Sequence, residues 1–345
     1  MGSSERPVIR ARRAGRTLGA ILGAAALGGG IAGCGGGTPV ATHAAAVTGS
    51  PVSGGIRVRL AEAATGAAVP YAGRHCDAPM LIAHRGETGD GANLPENTWQ
   101  AELAAAAEGA TYLNMDVRWT SDGVPVALHD ATVNRTTSED HPDTPITDLT
   151  ARQYTELDAR YYVSDTGGGR IDAAVHPDTL AEVLAKIAPT GRSIVLQMEA
   201  DPFQSGQAGA SPRQDFANLA QVIDQSGYAN KVIVAGWTLA DLRAFHAVEP
   251  GVPLAYLFES IGAKTYPTGA QLETADTHIL YVDYRGITAA ETAAWHAHGL
   301  QIWAWTPAAR PQWERLRTDG VDAIATNWTS FYLRWATPCS AESSD

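Results

Sequence analysis

Two histidines of this sequence each end an apolar run. His84 ends the run MLIAH and is followed by Arg85, and His129 ends the run PVALH. Two imidazoles can act as general base and general acid on opposite sides of a phosphorus centre, and a guanidinium can hold phosphate oxygens in bidentate fashion. Together these residue types indicate a site that cleaves phosphodiesters, in which His84 and His129 carry protons and Arg85 binds the phosphate.

Oxygen-bearing side chains end two further apolar runs. Asn114 and Asp116 lie in the run YLNMDV, and Glu199 closes the run IVLQME. Amide and carboxylate oxygens are hard ligands that suit Ca²⁺ or Mg²⁺, and these ions also bind phosphate oxygens. We therefore expect Asn114, Asp116 and Glu199 to form a divalent-cation site beside the two histidines.

A scaffold for these residues has to bring the ends of several strands together. Short runs rich in Val, Ile, Leu and Tyr alternate with Ala-rich helical stretches, which is typical of a parallel sheet covered by helices on both faces. Eight such strands predict a closed (β/α)₈ barrel, an α/β fold whose active sites lie at the C-terminal ends of the strands. An open doubly wound sheet is the alternative, but no Gly-rich dinucleotide turn follows the first strand. The predicted strands are residues 80–84, 112–117, 194–199, 231–235, 254–257, 279–283, 301–305 and 322–326.

One further apolar run, residues 125–129, does not fit the count of eight strands. The link from the second strand is too short for a crossover helix, and Asp122-Gly123 is a hairpin turn signal. We therefore predict a β-hairpin extension after the second strand. A turn centred near these two residues places His129 opposite Asp116, in a register that could shift by one or two positions.

Longer stretches around these residues resemble one enzyme family. The motifs of glycerophosphodiester phosphodiesterases are similar to five stretches between residues 80 and 328, namely AHRG, LPENTWQAELAAAAEGA, LNMDVRWTSDGVPVALHDATVNRTT, HPDTLAEVL and GLQIWAWTP…LRTDGVDAIATN. The resemblance implies a TIM barrel, a divalent cation, and hydrolysis of a glycerophosphodiester to an alcohol and glycerol 3-phosphate. It also implies that the substrate's own glycerol hydroxyl can be the first nucleophile, giving a cyclic phosphate that is then hydrolysed. By position, the resemblance assigns His84 and His129 to the catalytic pair, Arg85 to phosphate binding, Asp116 and Glu199 to metal binding, and Glu96 to an acid near the site.

The sequence departs from the family pattern at three positions. Asn114 stands where the family has a metal-binding glutamate, so the site carries one negative charge fewer and should bind metal more weakly. Asp201 stands where a lysine is usual and could replace the lost ligand, and Asn327 stands where an aspartate is usual. Two alternatives to the expected hydrolase follow: a catalytically impaired barrel that acts as a binding lipoprotein, and a phosphodiesterase with a shifted, lysophospholipid-type substrate.

Other residues near the predicted site have more than one interpretation. Glu96 is either an acid at a helix N-terminus or a residue that supports the site from behind its ligands. Trp305, at the end of the seventh strand, either lines the substrate mouth or fills the barrel core. Six other histidines lack matching partners and are interpreted as surface or structural residues: His75, His176, His246, His278, His296 and His298.

The first 34 residues indicate export. A basic start is followed by residues 17–33, which are small, apolar and uncharged, and then by Cys34. This pattern resembles a bacterial lipoprotein signal, in which the cysteine is lipidated and anchors the protein to the outer face of the cell membrane. A single membrane-spanning helix is the alternative, although the run is short and rich in Gly. We expect a signal peptide over residues 1–34, a low-complexity arm over residues 35–75 and the barrel domain over residues 76–339.

The remaining cysteines and the charge limit the partners. Cys76 and Cys339 flank the predicted domain, and in an exported protein they are expected to form a disulfide, with two free thiols as the alternative. The net charge of −12 argues against nucleic acid as a partner. We expect a monomer that binds a small phosphodiester and meets the membrane through its lipid.

Overall fold

One sheet of the computed structural model closes on itself, because its first strand pairs with two neighbours. The strand β1 (Met80–His84) runs parallel to β2 (Tyr112–Trp119) on one side and to β11 (Ala323–Thr326) on the other. The other parallel strands follow in sequence order, so that the ring contains eight strands and the predicted (β/α)₈ barrel is confirmed. Those strands are β6 (Ser193–Met198), β7 (Val232–Gly236), β8 (Leu254–Phe258), β9 (Thr277–Asp283) and β10 (Gln301–Trp305).

The structure describes residues 78–89, 92–141, 143–162, 168–170, 175–199, 212–228, 230–259 and 266–336. Several predictions concern residues outside these ranges: the signal segment, the arm, and the residues Cys34, His75, Cys76, Asp201 and Cys339. None of the described helices combines the length and the apolar character needed to cross a bilayer.

Helices connect the barrel strands and pack on the outside of the ring. In the helix Leu180–Ile187, the buried residues Leu180, Val183, Leu184 and Ile187 follow the spacing of one helical face. Threonine caps open many of these helices, as Thr98 does before Trp99–Glu108. The described helices are α1 (Trp99–Glu108), α2 (Ala151–Thr155), α3 (Leu180–Ile187), α4 (Pro212–Ser226), α5 (Leu239–Val248), α6 (Gly269–Thr274), α7 (Ala289–Ala297), α8 (Arg310–Thr318) and α9 (Thr329–Trp335).

Side chains that alternate along β2 belong to two different hydrophobic cores, one inside the barrel and one between the sheet and the helices. Tyr112 belongs to a cluster that fills the barrel interior, together with Ile82 and Trp303, whereas Leu113 and Met115 belong to the layer between the sheet and the helices. Since successive side chains of a strand point to opposite faces, Asn114 and Asp116 share the interior face with Tyr112. The site residues of β2 therefore point into the barrel.

The predicted hairpin is confirmed, and its register is shifted by one position, which lies within the predicted range of one or two. The strand β3 (Pro125–Ala127) pairs antiparallel with β2, and Val117 lies opposite Ala127. The backbone N–H of Leu128 donates to the carbonyl of Asp116, so Leu128, and not His129, faces Asp116. The backbone N–H of Thr120 donates to the carbonyl of Val124 over 3.1 Å, so the turn itself holds the three residues 121–123. It ends at Gly123, whose φ of 74° suits glycine. A second, two-stranded sheet joins β4 (Tyr161–Tyr162) to β5 (Gly169–Arg170).

Candidate active site

The HRG segment bends sharply where β1 ends. Arg85 has a φ of 63°, and its backbone N–H donates to the carbonyl of Asn114 over 3.0 Å. At Gly86 a Cβ atom would lie 2.6 Å from the Cβ of Ala101 on α1, so this close approach requires glycine. The bend keeps His84 and Arg85 at the mouth of the barrel beside the residues of β2.

His84 is buried and hydrogen-bonded through its Nδ1 atom. The partner is Oδ1 of Asn327, the residue that follows β11, at 2.6 Å. Since an amide oxygen only accepts, Nδ1 carries the proton and Nε2 keeps its lone pair. Burial, and then the charge of Arg85, lower the pKa of His84 to about 4. The ring is therefore neutral at neutral pH, with a free basic nitrogen.

His129 has a charged partner instead. Its Nδ1 atom lies 2.8 Å from Oδ1 of Asp130, and its backbone carbonyl accepts a hydrogen bond from Nε of Arg118 over 2.6 Å. Burial opposes protonation, but the hydrogen bond to Asp130 and the charge of Asp116 outweigh it and raise the pKa of His129. The Nε2 atom lies 3.8 Å from Oε2 of Glu199. His129 is thus suited to carry a proton.

Arginine side chains link the two histidine environments. Arg135 donates to both oxygens of Glu96, over 2.9 and 2.7 Å, and to both oxygens of Asp130, over 2.6 and 3.0 Å. Glu96 also accepts from Arg85 over 3.1 Å. Glu96 therefore supports Arg85, the residue predicted to bind phosphate, and Thr98 provides the helix cap. A chain of charged contacts runs from His129 through Asp130, Arg135 and Glu96 to Arg85.

Asp116 is fully buried and firmly held. One carboxylate oxygen accepts from Nδ2 of Asn97 over 2.9 Å and lies 2.9 Å from Nε of Arg85. Asn97 in turn accepts from the backbone N–H of Asp116 over 2.9 Å. Burial alone would raise the pKa of Asp116. The charge of Arg85, the two histidines and the hydrogen bond from Asn97 outweigh burial and lower the pKa below its usual value, so the carboxyl group is ionised.

The oxygens of Asn114 and Asp116 fit a hard divalent cation. Among the described residues, Oδ1 of Asn114 and Oδ1 of Asp116 are buried without a hydrogen-bond partner, while Nδ2 of Asn114 donates to the carbonyl of Val195 over 3.1 Å. Buried oxygens of this kind are costly unless a ligand satisfies them. No set of three His, Cys, Asp or Glu side chains within the described ranges is arranged to hold a metal ion. A donor set that includes Asp116 and Glu199, as predicted, would therefore also have to use the amide oxygen of Asn114.

Glu199 follows β6 and lies at the meeting point of several side chains. It accepts from Nε2 of Gln197, and its Oε2 accepts from Nε1 of Trp237 over 3.3 Å. Burial, and then the charge of Asp116, raise the pKa of Glu199. The same Oε2 atom of Glu199 thus lies near both the imidazole of His129 and the indole of Trp237.

Trp305 ends β10 at the mouth of the barrel. It is partly exposed, whereas Trp303 is fully buried in the barrel interior. Its ring meets that of Trp237, which follows β7, with centroids 5.7 Å apart and planes at 81°. The expectation that Trp305 lines the substrate mouth agrees with this location and remains a prediction.

Several partners in this site were not singled out from the sequence. Asp130 and Arg135 lie in the quoted stretch VALHDATVNRTT, and Asn97 lies in PENT, so the motifs contained the signal without the roles. Other histidines lie elsewhere. His246 and His278 lie 3.7 and 3.2 Å from Asp276, and His296 lies 2.9 Å from Asp322, near the opposite ends of the strands. His176 and His298 are exposed.

Known proteins share this fold and these motifs. The chain matches the model of the glycerophosphoryl diester phosphodiesterase family over residues 84–330. A glycerophosphodiester phosphodiesterase of Caldanaerobacter subterraneus subsp. tengcongensis is 26% identical over 249 residues, which are 72% of this chain and 93% of that protein.

Solved structures agree at the level of the fold. The structure of an Oleispira antarctica phosphodiesterase in complex with the product sn-glycerol-3-phosphate has a TM-score of 0.62 and 21% identity, covering 75% of this chain and 96% of that chain. A glycerophosphodiester phosphodiesterase from Parabacteroides distasonis has a TM-score of 0.58 and 17% identity, covering 75% of this chain and 96% of that chain.

The family match includes every candidate residue from His84 to Asn327 and spans more than half of the 345 residues. Members of this family generally use a divalent cation. The chain belongs to the glycerophosphoryl diester phosphodiesterase family, a family of phosphoric diester hydrolases.

Proposed function

We propose that this protein hydrolyses glycerophosphodiesters to an alcohol and glycerol 3-phosphate, with the help of a divalent cation. The observation that carries the proposal is the pair of histidines, each with its Nδ1 atom held by a different kind of acceptor, beside Arg85 and Asp116. The Oleispira antarctica relative, which was solved with sn-glycerol-3-phosphate, supports the same product class for this chain.

The hydrogen bonds suggest the role of each histidine. His84, with a neutral acceptor at Nδ1, acts as general base through Nε2, and His129, paired with Asp130, acts as general acid. In the first step His84 takes the proton of the glycerol 2-hydroxyl, which attacks phosphorus, while His129 protonates the departing alcohol. In the second step water opens the cyclic phosphate, His129 takes the proton of the water, and His84 returns its proton to the glycerol oxygen.

Charged side chains hold the phosphate through both steps. Arg85 lies at the mouth of the barrel and pairs with phosphate oxygens. Asn114, Asp116 and Glu199 would hold the divalent cation, which would neutralise charge on the phosphate. Arg135 keeps Glu96 and Asp130 in place and so fixes the directions of Arg85 and His129.

Turnover by the full chain tests this proposal. Glycerol 3-phosphate release would be measured from glycerophosphocholine, glycerophosphoethanolamine and glycerophosphoglycerol with Ca²⁺, Mg²⁺ or a chelator. We expect release only with a cation, and its loss in His84→Ala and in His129→Ala. His298→Ala, at an exposed position, is the matched control and should retain full activity. Equal activity in all three variants would reject the two-histidine mechanism.

Asn114 favours a second candidate, a barrel that binds phosphodiesters without cleaving them. A neutral ligand at this position weakens the cation site, and Asp116 is already engaged by Arg85 and Asn97. A folded protein that binds glycerophosphodiesters and releases no product would support this candidate. Release of product only from a lysophospholipid-type diester would instead indicate the shifted substrate.

Export and anchoring complete the proposal. Lipidation of Cys34 would hold the barrel domain, residues 76–339, at the outer face of the membrane through the arm of residues 35–75, and Cys76 would pair with Cys339. Palmitate labelling of the wild type and of Cys34→Ala in a bacterial host tests the anchor. Mass spectrometry of unreduced peptides tests the disulfide. Label in both proteins, or free thiols at both positions, would reject the respective part.

A further inference from the structure

Two tryptophans from non-adjacent strands meet at the barrel mouth. Trp237 follows β7 and Trp305 ends β10, and β8 and β9 lie between these strands in the sheet. The ring centroids are 5.7 Å apart and the planes make an angle of 81°. Both side chains are partly exposed and pack on the hydrophobic cluster of the barrel interior. Two ring faces at nearly a right angle form a corner that we call the tryptophan corner, defined by Trp237 and Trp305.

The polar atoms of the tryptophan corner are already used. Nε1 of Trp305 donates to the carbonyl of Tyr281 over 3.2 Å, and Nε1 of Trp237 donates to Oε2 of Glu199 over 3.3 Å. An indole has no other hydrogen-bonding atom. The corner therefore offers only its ring faces to a ligand. Ring faces attract cations, and quaternary ammonium groups, which form no hydrogen bonds of their own, are recognised in proteins by such faces.

Glu199 places this corner beside the departing alcohol. The oxygen that accepts from Trp237 also lies 3.8 Å from Nε2 of His129, the proposed acid for the leaving oxygen. A choline ester carries its ammonium group two carbons from that oxygen. The alcohol protonated by His129 would thus bring its cationic end to Trp237.

The overall charge of the protein also favours a cation over an anion. Asp283 is the register partner of Trp305, but Arg285 compensates it through a contact of 2.6 Å. Glu199 lies beside Trp237, but its charge would be shared with the divalent cation that it is proposed to hold. The net charge of −12 disfavours anionic head groups at long range. We infer that the tryptophan corner binds the quaternary ammonium head group of a choline-type glycerophosphodiester, an inference that rests on the proposed hydrolysis and assigns its substrate class.

Kinetics with an isosteric pair of substrates tests the inference. Glycerophosphocholine would be compared with the glycerophosphodiester of 3,3-dimethylbutanol, which has the same shape without the charge. We expect kcat/KM to favour the choline ester by roughly 2- to 30-fold. Trp237→Leu and Trp305→Leu should bring the ratio close to one. A ratio near one in the wild type would overturn the inference.

Matched variants separate the ring face from structural effects. Trp237→Phe keeps an aromatic face and loses the hydrogen bond to Glu199, so it should retain most of the preference for the cation. Trp295→Leu is the control, because Trp295 packs between Tyr266 and His298, on α7 rather than at the site. Equal losses of preference in Trp237→Phe and Trp237→Leu would reject a role of the ring face.

Binding measured without turnover separates this inference from the proposed function. In His84→Ala, calorimetry would compare tetramethylammonium and choline with 3,3-dimethylbutanol. Binding of the cations alone, lost in Trp237→Leu, would support the head-group site even if no ester were hydrolysed. Hydrolysis of both esters at equal kcat/KM, with no preference for cations in binding, would uphold the hydrolase and reject the head-group site.

Discussion

The Nδ1 atom of His84 lies 2.6 Å from Oδ1 of Asn327, whereas the Nδ1 atom of His129 lies 2.8 Å from a carboxylate oxygen of Asp130. A neutral acceptor fixes the tautomer of a histidine without stabilising its charge, and a carboxylate does both. The two imidazoles of this site therefore differ in their readiness to hold a proton. The assignment of base and acid follows from this difference.

Replacing Asn327 by Asp should reduce the difference in pKa between His84 and His129. A carboxylate beside Nδ1 raises the pKa of His84 from its value of about 4. A general base works only when deprotonated, so activity is lost as pH falls through its pKa, and a higher pKa moves this loss to higher pH. We expect the acid limb of the kcat/KM profile of Asn327→Asp to shift upward, together with the NMR titration of His84. An unchanged acid limb would contradict the role of His84 as base.

Arg135 should act through the groups that it holds. Lysine cannot form two bidentate contacts, so Arg135→Lys should loosen Asp130 and Glu96 and lower kcat by about 10- to 100-fold. We expect the fall in kcat to exceed any rise in KM, with the melting temperature nearly unchanged. Arg152→Lys is the matched control, since Arg152 forms an exposed pair with Glu156 at 3.3 Å. Similar losses in both variants would argue against a positioning role.

Asn114 should limit cation affinity. Asn114→Asp adds a charged oxygen of the same size beside Asp116, and calorimetry should show Ca²⁺ or Mg²⁺ binding strengthened by about tenfold. Asn230→Asp, at an exposed position, adds the same charge elsewhere and should leave the Kd unchanged. Equal Kd values in wild type and Asn114→Asp would place residue 114 outside the ligands of the cation.

Glu102 of α1 should make stability depend on pH. It is 0% exposed, neither carboxyl oxygen has a hydrogen-bond partner among the described residues, and burial followed by the charge of Asp116 raises its pKa well above the usual range. In the unfolded chain the group ionises near pH ~4.3, so the folded state loses stability as pH rises above that value until the folded pKa is passed. Glu102→Gln stays neutral in both states and escapes this loss.

Denaturant unfolding between pH 5 and pH 8 measures the effect of Glu102→Gln. As pH rises, the free energy of unfolding of the variant should increase relative to that of the wild type by up to about 1.4 kcal/mol for each pH unit. Glu108→Gln, at an exposed position of the same helix, should show no such trend. Parallel stability curves for wild type and Glu102→Gln would show that Glu102 is ionised in the folded protein.

The barrel could be predicted because its strands are continuous apolar runs, each buried on both faces. The runs that became β1 and β10 were predicted with their observed bounds. The ends of other strands differ from the predicted ends for local reasons. The strand β2 extends to Trp119, two residues beyond its predicted end, because the hairpin pairs Arg118 and Trp119 with β3. The short helices α2, α6 and α9 lack a long periodic pattern, so local sequence does not predict them.

The sequence could predict which residues belong to the site, from single residues and motifs, but not the contacts between distant residues. His84, Arg85 and Asp116 stand at the ends of apolar runs, so their location follows from the fold. The contact of Asn327 with His84 joins residues 243 positions apart and depends on the closure of the barrel between β11 and β1. The contact of Trp237 with Trp305 depends on the same closed ring. Such pairings have no signal in local sequence.

The most direct test of the proposed cation-dependent hydrolysis is ³¹P NMR of glycerophosphocholine incubated with the full chain. The sample would first contain Ca²⁺ or Mg²⁺ and then excess chelator. A cation-dependent hydrolase that uses His84 should convert the diester signal to a monoester signal while the cation is present. Conversion should stop with the chelator, and His84→Ala should show none. A folded protein that binds the diester but yields no monoester with either cation would contradict the proposed hydrolysis.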